Sequence, residues 1–315
     1  MIAALQSPLA NSTNATLIDR PDPTIRDYLA EVVAQASTSD VIFTHSLRDQ
    51  NKPIVSSDKI NTATNLTAEL KGSSLQVSEQ TILKVSWGVH MGKAEALILL
   101  AKSSQIPVPE VLSVYTISNI RFILLSNINS QILGSCMDSM SLEDISAISR
   151  QLKAYIFNWR VFRSSFLGIR GITGQQKKHG PFGSFEQYKH GIVEALRASR
   201  PNEGAWYDQE EALKQKILTA FLDLINEQLT STTLETLTHG GLHPGNIMVK
   251  IGVITGIIDW GDSGYSVPER EFFAAKRIAM DEPWAKIIDE CILFFPEQYV
   301  LMDEVDWSMM RYSPI

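Results

Sequence analysis

The sequence predicts an α+β fold in two parts, a small antiparallel β-rich N-terminal lobe with one helix and a larger, mainly helical C-terminal lobe. In the first part, SLQV at 74–77 and TILKV at 81–85 flank a turn-like Ser-Glu-Gln, which is the pattern of a β-hairpin. After Asn129 the apolar residues instead recur every three or four positions, as in amphipathic helices. The expected boundaries are a loose arm over residues 1–23, the N-lobe with a flanking helix over 24–128 and the C-lobe over 129–315.

The N-lobe is predicted to open with a helix of about three turns, because the apolar residues after Thr24 have helical spacing. VIFTHSL at 41–47 is typical of a short strand, whereas the polar residues 50–73 favour no element. A helix over 89–103 is ended by the two prolines of IPVPEV, which remove backbone donors and force an extended chain. The apolar segments VLSVYTI and IRFILL are expected to pair across Ser118-Asn119.

In the C-lobe, Ser141 is expected to cap a long helix with apolar residues from Ile145 to Trp159. The glycine-rich interval 168–183 is interpreted as a mobile loop. Further helices are predicted over about 184–198, 207–229 and 267–295. Between them, residues 239–260 are read as loop, strand, Ile251-Gly252 turn and strand.

Composition limits the function before any motif is considered. The chain has 315 residues, of which 44% are hydrophobic, with a net charge of −7 and a pI near 5.4. An acidic chain lacks the basic surface that a sequence-independent nucleic-acid binder needs, so a small molecule or a protein is the expected partner. No apolar run is long enough to cross a membrane. Two cysteines are too few for a disulfide framework, and the N-terminus lacks a secretory signal, so a cytoplasmic location is expected, while the oligomeric state is not indicated.

The segment HGGLHPGNIMVKIGVITGIIDW, residues 239–260, is the most informative in the chain. It resembles the aminoglycoside phosphotransferase and choline kinase family in its fungal form, whose members carry His-Gly-Asp-Leu-His-Pro-Gly-Asn at the start of this segment. Seven of those eight positions agree. TILKV, EALILL, IPVPEV and FILLSNI add weaker support, and the resemblance covers roughly residues 75–280. It implies a protein-kinase-like two-lobed fold that uses ATP and Mg²⁺.

The resemblance also implies roles for particular residues. Phosphoryl transfer passes through a loose, anionic transition state, so the protein mainly supplies positioning and positive charge. Lys84 would contact the α- and β-phosphates, and Glu95 would hold its ammonium in place, although alone both residues look like ordinary surface side chains. Asn246 and Asp259 would be the magnesium ligands, since Mg²⁺ prefers oxygen donors. The adenine edge would meet backbone groups near Leu125 to Asn127.

Gly241 departs from the family pattern, because it stands where members have the aspartate that accepts the proton of the substrate hydroxyl. Loss of a positioned base generally costs about 10² to 10⁴ in rate. A second departure follows the metal strand, where the chain reads Asp259-Trp260-Gly261-Asp262 instead of Asp-Trp-Glu and an aromatic residue. One hypothesis is that Asp262 substitutes for the missing base. The alternative is a loop aspartate that makes a local Asx-turn.

Two functions therefore compete. The first is an ATP- and Mg²⁺-dependent phosphotransferase acting on a small-molecule hydroxyl or amine, with a role in secondary metabolism suggested by the resemblance alone. The second is a catalytically degenerate or repurposed kinase-fold protein that binds nucleotide or catalyses another reaction. The acids Glu269, Glu271, Asp281 and Glu282 are candidates for attracting a cationic amine, with solvated helix faces as the simpler interpretation.

Overall fold

The computed structural model describes residues 25–43, 53–69, 72–86, 92–102, 105–163, 167–170, 178–182, 236–266, 269–277 and 282–293, with a few isolated residues besides. The chain divides into two compact units. The first comprises Met1–Val89 and Val111–Asn127, and the second comprises His90–Glu110 and Ile128–Ile315. Residues 90–110, which the sequence places in the N-lobe, thus belong to the second unit.

The first unit is built on an antiparallel sheet with the strand order β1-β5-β6-β4-β3-β2. The predicted hairpin over 74–85 forms its centre, since β3 and β4 pair directly and β4 then pairs with β6. The elements, numbered in chain order through both units, are α1 (Ile25–Gln35), β1 (Ile42–Phe43), α2 (Ser57–Asn61), β2 (Thr64–Glu69), β3 (Gly72–Ser78), β4 (Thr81–Ser86), β5 (Val111–Ile117) and β6 (Ile120–Ser126).

Tyr115 lies at the middle of the core of this unit. Its ring stacks on Phe122 with a centroid distance of 4.9 Å, and its hydroxyl accepts a 3.1 Å hydrogen bond from the backbone N–H of Val55. Burial raises the pKa of Tyr115 to about 12. The β5–β6 turn takes positive φ at Ser118 and Asn119, as a tight two-residue hairpin requires.

One expectation for the first unit needs correction. The segment 50–73, which favoured no element, contains α2 and β2. Of the predicted strand over 41–47, Ile42 and Phe43 form β1 and pair with Thr116 and Tyr115, and residues 44–47 lie outside the described residues. The N-terminal arm lies outside the described residues.

The second unit combines helices with three small antiparallel sheets, whose orders are β12-β11-β7, β10-β13 and β8-β9 among the strands described. Its first helix is the one that follows the N-terminal hairpin in sequence. The elements are α3 (Gly92–Ala101), β7 (Gln131–Ile132), α4 (Leu133–Cys136), α5 (Leu142–Trp159), β8 (Leu167–Arg170), β9 (Lys178–Phe182), β10 (Thr236–Thr238), β11 (Ile247–Lys250), β12 (Val253–Ile257), β13 (Gly264–Ser266), α6 (Glu269–Arg277) and α7 (Glu282–Cys291).

Helix α5 begins as predicted, because the Ser141 side chain accepts a 3.1 Å hydrogen bond from the Asp144 N–H. Its apolar side is buried, and its polar side holds the β11–β12 hairpin. The Gln151 amide donates to the Gly252 carbonyl at 2.9 Å and accepts from the Ile254 N–H at 3.0 Å. Helix α5 therefore fixes the hairpin whose second strand leads to Asp259.

The glycine-rich interval 168–183 is not simply a loop. Strands β8 and β9 pair antiparallel within it, with Ile169 opposite His179, so the polar composition concealed a short hairpin. Within the segment 267–295, predicted to be helical, the described residues form helices α6 and α7. Most of the predicted helices 184–198 and 207–229 lies outside the described residues. Across the described part of the chain, no helix has the length and apolar character needed to span a membrane.

Candidate active site

His239 is the fully buried first residue of the loop that joins β10 to β11. Its Nδ1 accepts a 3.2 Å hydrogen bond from the Gly241 N–H, so its Nε2 must be the nitrogen that donates, at 2.9 Å, to the Ile258 carbonyl. Burial lowers the pKa of His239 to about 4. The ring is therefore neutral near pH 7 and acts as a brace between the loop and the end of β12.

Glu271 on α6 anchors the same loop, and it is fully buried. Its Oε2 accepts hydrogen bonds from the backbone N–H of His239 at 2.6 Å and from Nε1 of Trp159 at 3.3 Å. Burial raises the pKa of this carboxyl, against the lowering effects of the His239 hydrogen bond and the charge of Arg160. The interpretation of Glu271 as a solvated acid or an amine-attracting residue is wrong, because its carboxyl holds the loop in place. Of the other three candidate acids no side chain is described.

Asn246 ties the loop to the following strands by three hydrogen bonds. Its Nδ2 donates to the Gly241 carbonyl at 2.9 Å, and its own N–H donates to the His243 carbonyl at 2.9 Å. Its carbonyl accepts a 2.9 Å hydrogen bond from the Ile258 N–H. Because Ile258 immediately precedes Asp259, the two predicted magnesium ligands are held close along one connected backbone network.

Asp259 adopts a left-handed conformation with φ 63° and ψ 52°, which turns the chain sharply after β12. Its side chain is 45% exposed and forms an ion pair with the ammonium of Lys93, whose side chain is only 7% exposed. Lys93 lies in the first turn of α3, within the second unit. The local sequence gives no sign of this partner, since a lysine at the start of a helix looks like a surface residue.

Trp260 anchors the short 3₁₀ turn Trp260–Asp262 that follows. Its ring is fully buried, with its centroid 4.5 Å from that of His239, and its Nε1 donates to the Ile257 carbonyl at 2.9 Å. Ser263 closes the turn, because its hydroxyl donates to the Trp260 carbonyl at 2.7 Å. The turn therefore does not rely on an Asx-turn from Asp262, which is exposed.

The Asp262 carboxylate lies close to Gly241, the residue that the resemblance aligns with the family's aspartate. A Cβ built on Gly241 would lie 3.7 Å from Oδ2 of Asp262 and 4.0 Å from Nδ1 of His239. Gly240, next to it, has φ +77°, and a Cβ there would overlap the carbonyl of Asp262. The turn and the loop thus touch at Gly240, and a carboxylate stands beside Gly241.

The remaining predicted site residues are distributed over both units. Lys84 lies on β4, half-buried and opposite Ser74 and Ile123, in the first unit. Leu125 and Asn127 belong to the same unit, and the Asn127 N–H already donates to the Gln80 carbonyl at 2.7 Å. If this segment binds the adenine edge of a nucleotide, it must do so through backbone groups other than the Asn127 N–H. Glu95 is exposed on α3 in the second unit.

The donor set fits a magnesium ion in its chemistry. Asp259 offers a half-exposed carboxylate, and Asn246 uses Nδ2 within the loop, which leaves Oδ1 as its oxygen ligand. One carboxylate and one amide oxygen suffice for Mg²⁺ when nucleotide phosphates and waters complete the shell. Within the described residues, no group of three or more His, Cys, Asp or Glu side chains is placed to hold a metal by itself.

A neutral, buried histidine, an amide-braced loop and an aspartate after a short strand lie together in the second unit. The chain belongs to the phosphotransferase enzyme family, whose family model, abbreviated APH, matches residues 93–291. No curated protein matches the sequence.

Solved structures of aminoglycoside phosphotransferases share the fold. The GDP and kanamycin complex of APH(2")-IIia is 14% identical over 76% of this chain and 80% of its own, with a TM-score of 0.53. A ternary complex of a thermostable APH(4)-Ia mutant with AMP-PNP and hygromycin B is 14% identical over 79% and 91%, with a TM-score of 0.54. The predicted α+β, protein-kinase-like fold is confirmed.

Proposed function

We propose that this protein transfers the γ-phosphate of ATP, with Mg²⁺, to a hydroxyl or amine of a small molecule, and that Asp262 serves as the base in place of the aspartate absent at residue 241. Family membership supports phosphotransfer as the class of reaction. Similar folds have been solved with nucleotides together with kanamycin or hygromycin B, which supports a nucleotide and a small-molecule acceptor. A role in secondary metabolism remains a prediction from the resemblance.

The position of Asp262 is the observation that carries this proposal. A side chain at 241 would begin only 3.7 Å from Oδ2 of Asp262, so the two positions can present a carboxylate to the same space. The carboxylate of Asp262 is exposed, as it must be to accept a proton from a substrate. Its turn is fixed by buried Trp260 and by Ser263, which gives the carboxylate a defined place.

The other residues would have supporting roles. Asn246 and Asp259 would hold the magnesium ion, which supplies positive charge to the phosphates. Lys84 would add a second positive charge at the α- and β-phosphates, held by Glu95, and backbone groups near Leu125 to Asn127 would meet the adenine. The division into an N-lobe over 24–128 and a C-lobe over 129–315 remains a prediction.

A second candidate is a kinase-fold protein that no longer transfers phosphate. One observation favours it: the Asp259 carboxylate is engaged by the ammonium of Lys93. If that pair persisted in the presence of Mg·ATP, the carboxylate would be a poorer metal ligand. The experiment must therefore separate an enzyme with a relocated base from a protein without activity.

The test is release and transfer of radiolabelled γ-phosphate from Mg·ATP, with water, kanamycin, hygromycin B and choline as acceptors. Asp262→Asn, which keeps the size of the side chain, is expected to lower the rate by about 10² to 10⁴. Adding Gly241→Asp to Asp262→Asn is expected to restore part of that loss, because a carboxylate returns to the same space. Asp58→Asn, an exposed substitution in α2, is the control and should leave the rate unchanged.

Three results would contradict the proposal. Unchanged activity in Asp262→Asn would show that Asp262 is not the base. An inert wild-type protein that gains activity through Gly241→Asp alone would identify a degenerate kinase. Calorimetry that detects no heat of binding for Mg·ATP would favour a function without nucleotide.

A further inference from the structure

We propose that Lys93 competes with the divalent cation for the carboxylate of Asp259, so that the site binds metal weakly on its own. The inference rests on the proposed function, in which Asp259 is a metal ligand. It adds a residue outside the predicted site, on a helix 166 positions away in the sequence, as a determinant of cation affinity.

The placement of Lys93 shows that its charge is directed at Asp259. A lysine is almost never buried unless it is paired, and the Lys93 side chain is 7% exposed. It also lies in the first turn of α3, where the positive end of the helix dipole disfavours a cation. The helix itself therefore offers Lys93 no compensation, whereas the ion pair with Asp259 helps to offset both costs.

Gly261 leaves space around this ion pair. A Cβ at residue 261 would lie 3.7 Å from Nζ of Lys93 and 3.8 Å from Oδ1 of Asp259. Because residue 261 is a glycine, it places no side chain against this pair. Asp259 is also 45% exposed, so its carboxylate is accessible to a cation in solution.

Two cations cannot share one carboxylate without repelling each other. A divalent ion at Asp259 must either displace the Lys93 ammonium or bind next to a unit positive charge, and both cost binding free energy. A nucleotide phosphate would give Lys93 another anionic partner. We therefore expect metal to bind far better together with nucleotide than alone.

The experiment measures Mn²⁺ binding without nucleotide, by the loss of the electron paramagnetic resonance signal of free Mn²⁺. Lys93→Met keeps the length of the apolar stem and removes the charge, and it is expected to tighten Mn²⁺ binding by about tenfold or more. Lys93→Gln should behave in the same way. Lys93→Arg keeps the charge, so its affinity for Mn²⁺ should remain close to that of the wild type. Adding Asp259→Asn to Lys93→Met should abolish the gain in affinity.

Equal or weaker Mn²⁺ binding in both neutral variants would overturn the inference, as would a gain that survives Asp259→Asn. Circular dichroism melting curves establish that each variant is folded before titration. Failure of the proposed function gives a different result. In that case the affinity for Mn²⁺ in the presence of AMP-PNP would be the same in the wild type and in Asp259→Asn. Lys93 and the metal role of Asp259 are thus tested separately.

Discussion

The backbone N–H of His239 donates a 2.6 Å hydrogen bond to Oε2 of Glu271, and both residues are fully buried. The loop that carries Gly241 and Asn246 is thus fixed from its first residue by a carboxyl on α6. Such a carboxyl is costly to bury, so its hydrogen bonds are what make it tolerable.

Glu271→Ala is expected to destabilise the protein by about 2 to 4 kcal/mol, because it leaves the His239 N–H and the Trp159 Nε1–H without an acceptor in the interior. Glu271→Gln retains an oxygen acceptor and should cost less. Urea unfolding followed by tryptophan fluorescence measures the difference. Glu79→Ala, at an exposed turn of the first unit, is the matched control, and an equal loss in Glu271→Ala and Glu79→Ala would refute the anchoring role.

The contribution of His239 to the stability of the protein should fall as the pH is lowered from 7 to 4. The pKa of His239 is about 4 in the folded protein and near 6.5 when unfolded, so the unfolded chain takes up a proton first. The stabilisation is present above pH 6.5 and is lost as pH falls through the folded pKa, to a total of about 3 kcal/mol.

His239→Gln removes this contribution, so its deficit relative to wild type should shrink towards pH 4. Glu271, whose pKa is raised, contributes with the opposite sign, but it is present in both proteins. The free energy of unfolding at closely spaced pH values gives the comparison. A deficit that is constant from pH 7 to pH 4 would show that His239 does not titrate in this way.

Alanine substitutions at Gly240 and at Gly241 should have very different effects on the stability of the protein. Gly240→Ala places a methyl group against the Asp262 backbone, only 2.9 Å from its carbonyl carbon, in a conformation with φ +77° that alanine disfavours. A loss of about 2 kcal/mol or more is expected. Gly241→Ala meets nothing closer than 3.7 Å and should be nearly neutral in melting temperature. Similar melting temperatures for the two variants would disprove the close approach of loop and turn.

The parts of the fold that local sequence determines were predictable. The hairpin over 74–85 and the helix capped by Ser141 follow from β-branched alternation, helical spacing and one capping side chain, all of which act within a few residues. Helix α2 and strand β2 were missed because their residues are mostly polar and are held by pairing with β3, which the local pattern does not show.

The candidate site was predictable only in part, for a related reason. The loop motif predicts Gly241, Asn246 and Asp259 as site residues, since these residues are close together in the sequence. The contact of Lys93 with Asp259 and the contact of Glu271 with the loop were not predicted, because each comes from a helix distant in the sequence, whose neighbouring residues give no sign of which face is covered. Burial, and not residue type, distinguishes Glu271 from a solvated acid.

The contact between Gly240 and the backbone of Asp262 also concerns how such a chain could have changed over generations. A side chain gained at 240 would push the Asp262 carbonyl away whatever side chain stood at 262, so glycine at 240 should be retained independently of the residue at 262. An acid at 262 is instead expected to accompany the lack of an acid at 241, because the two positions can present a carboxylate to the same space. A comparison of many such sequences would reveal that covariation.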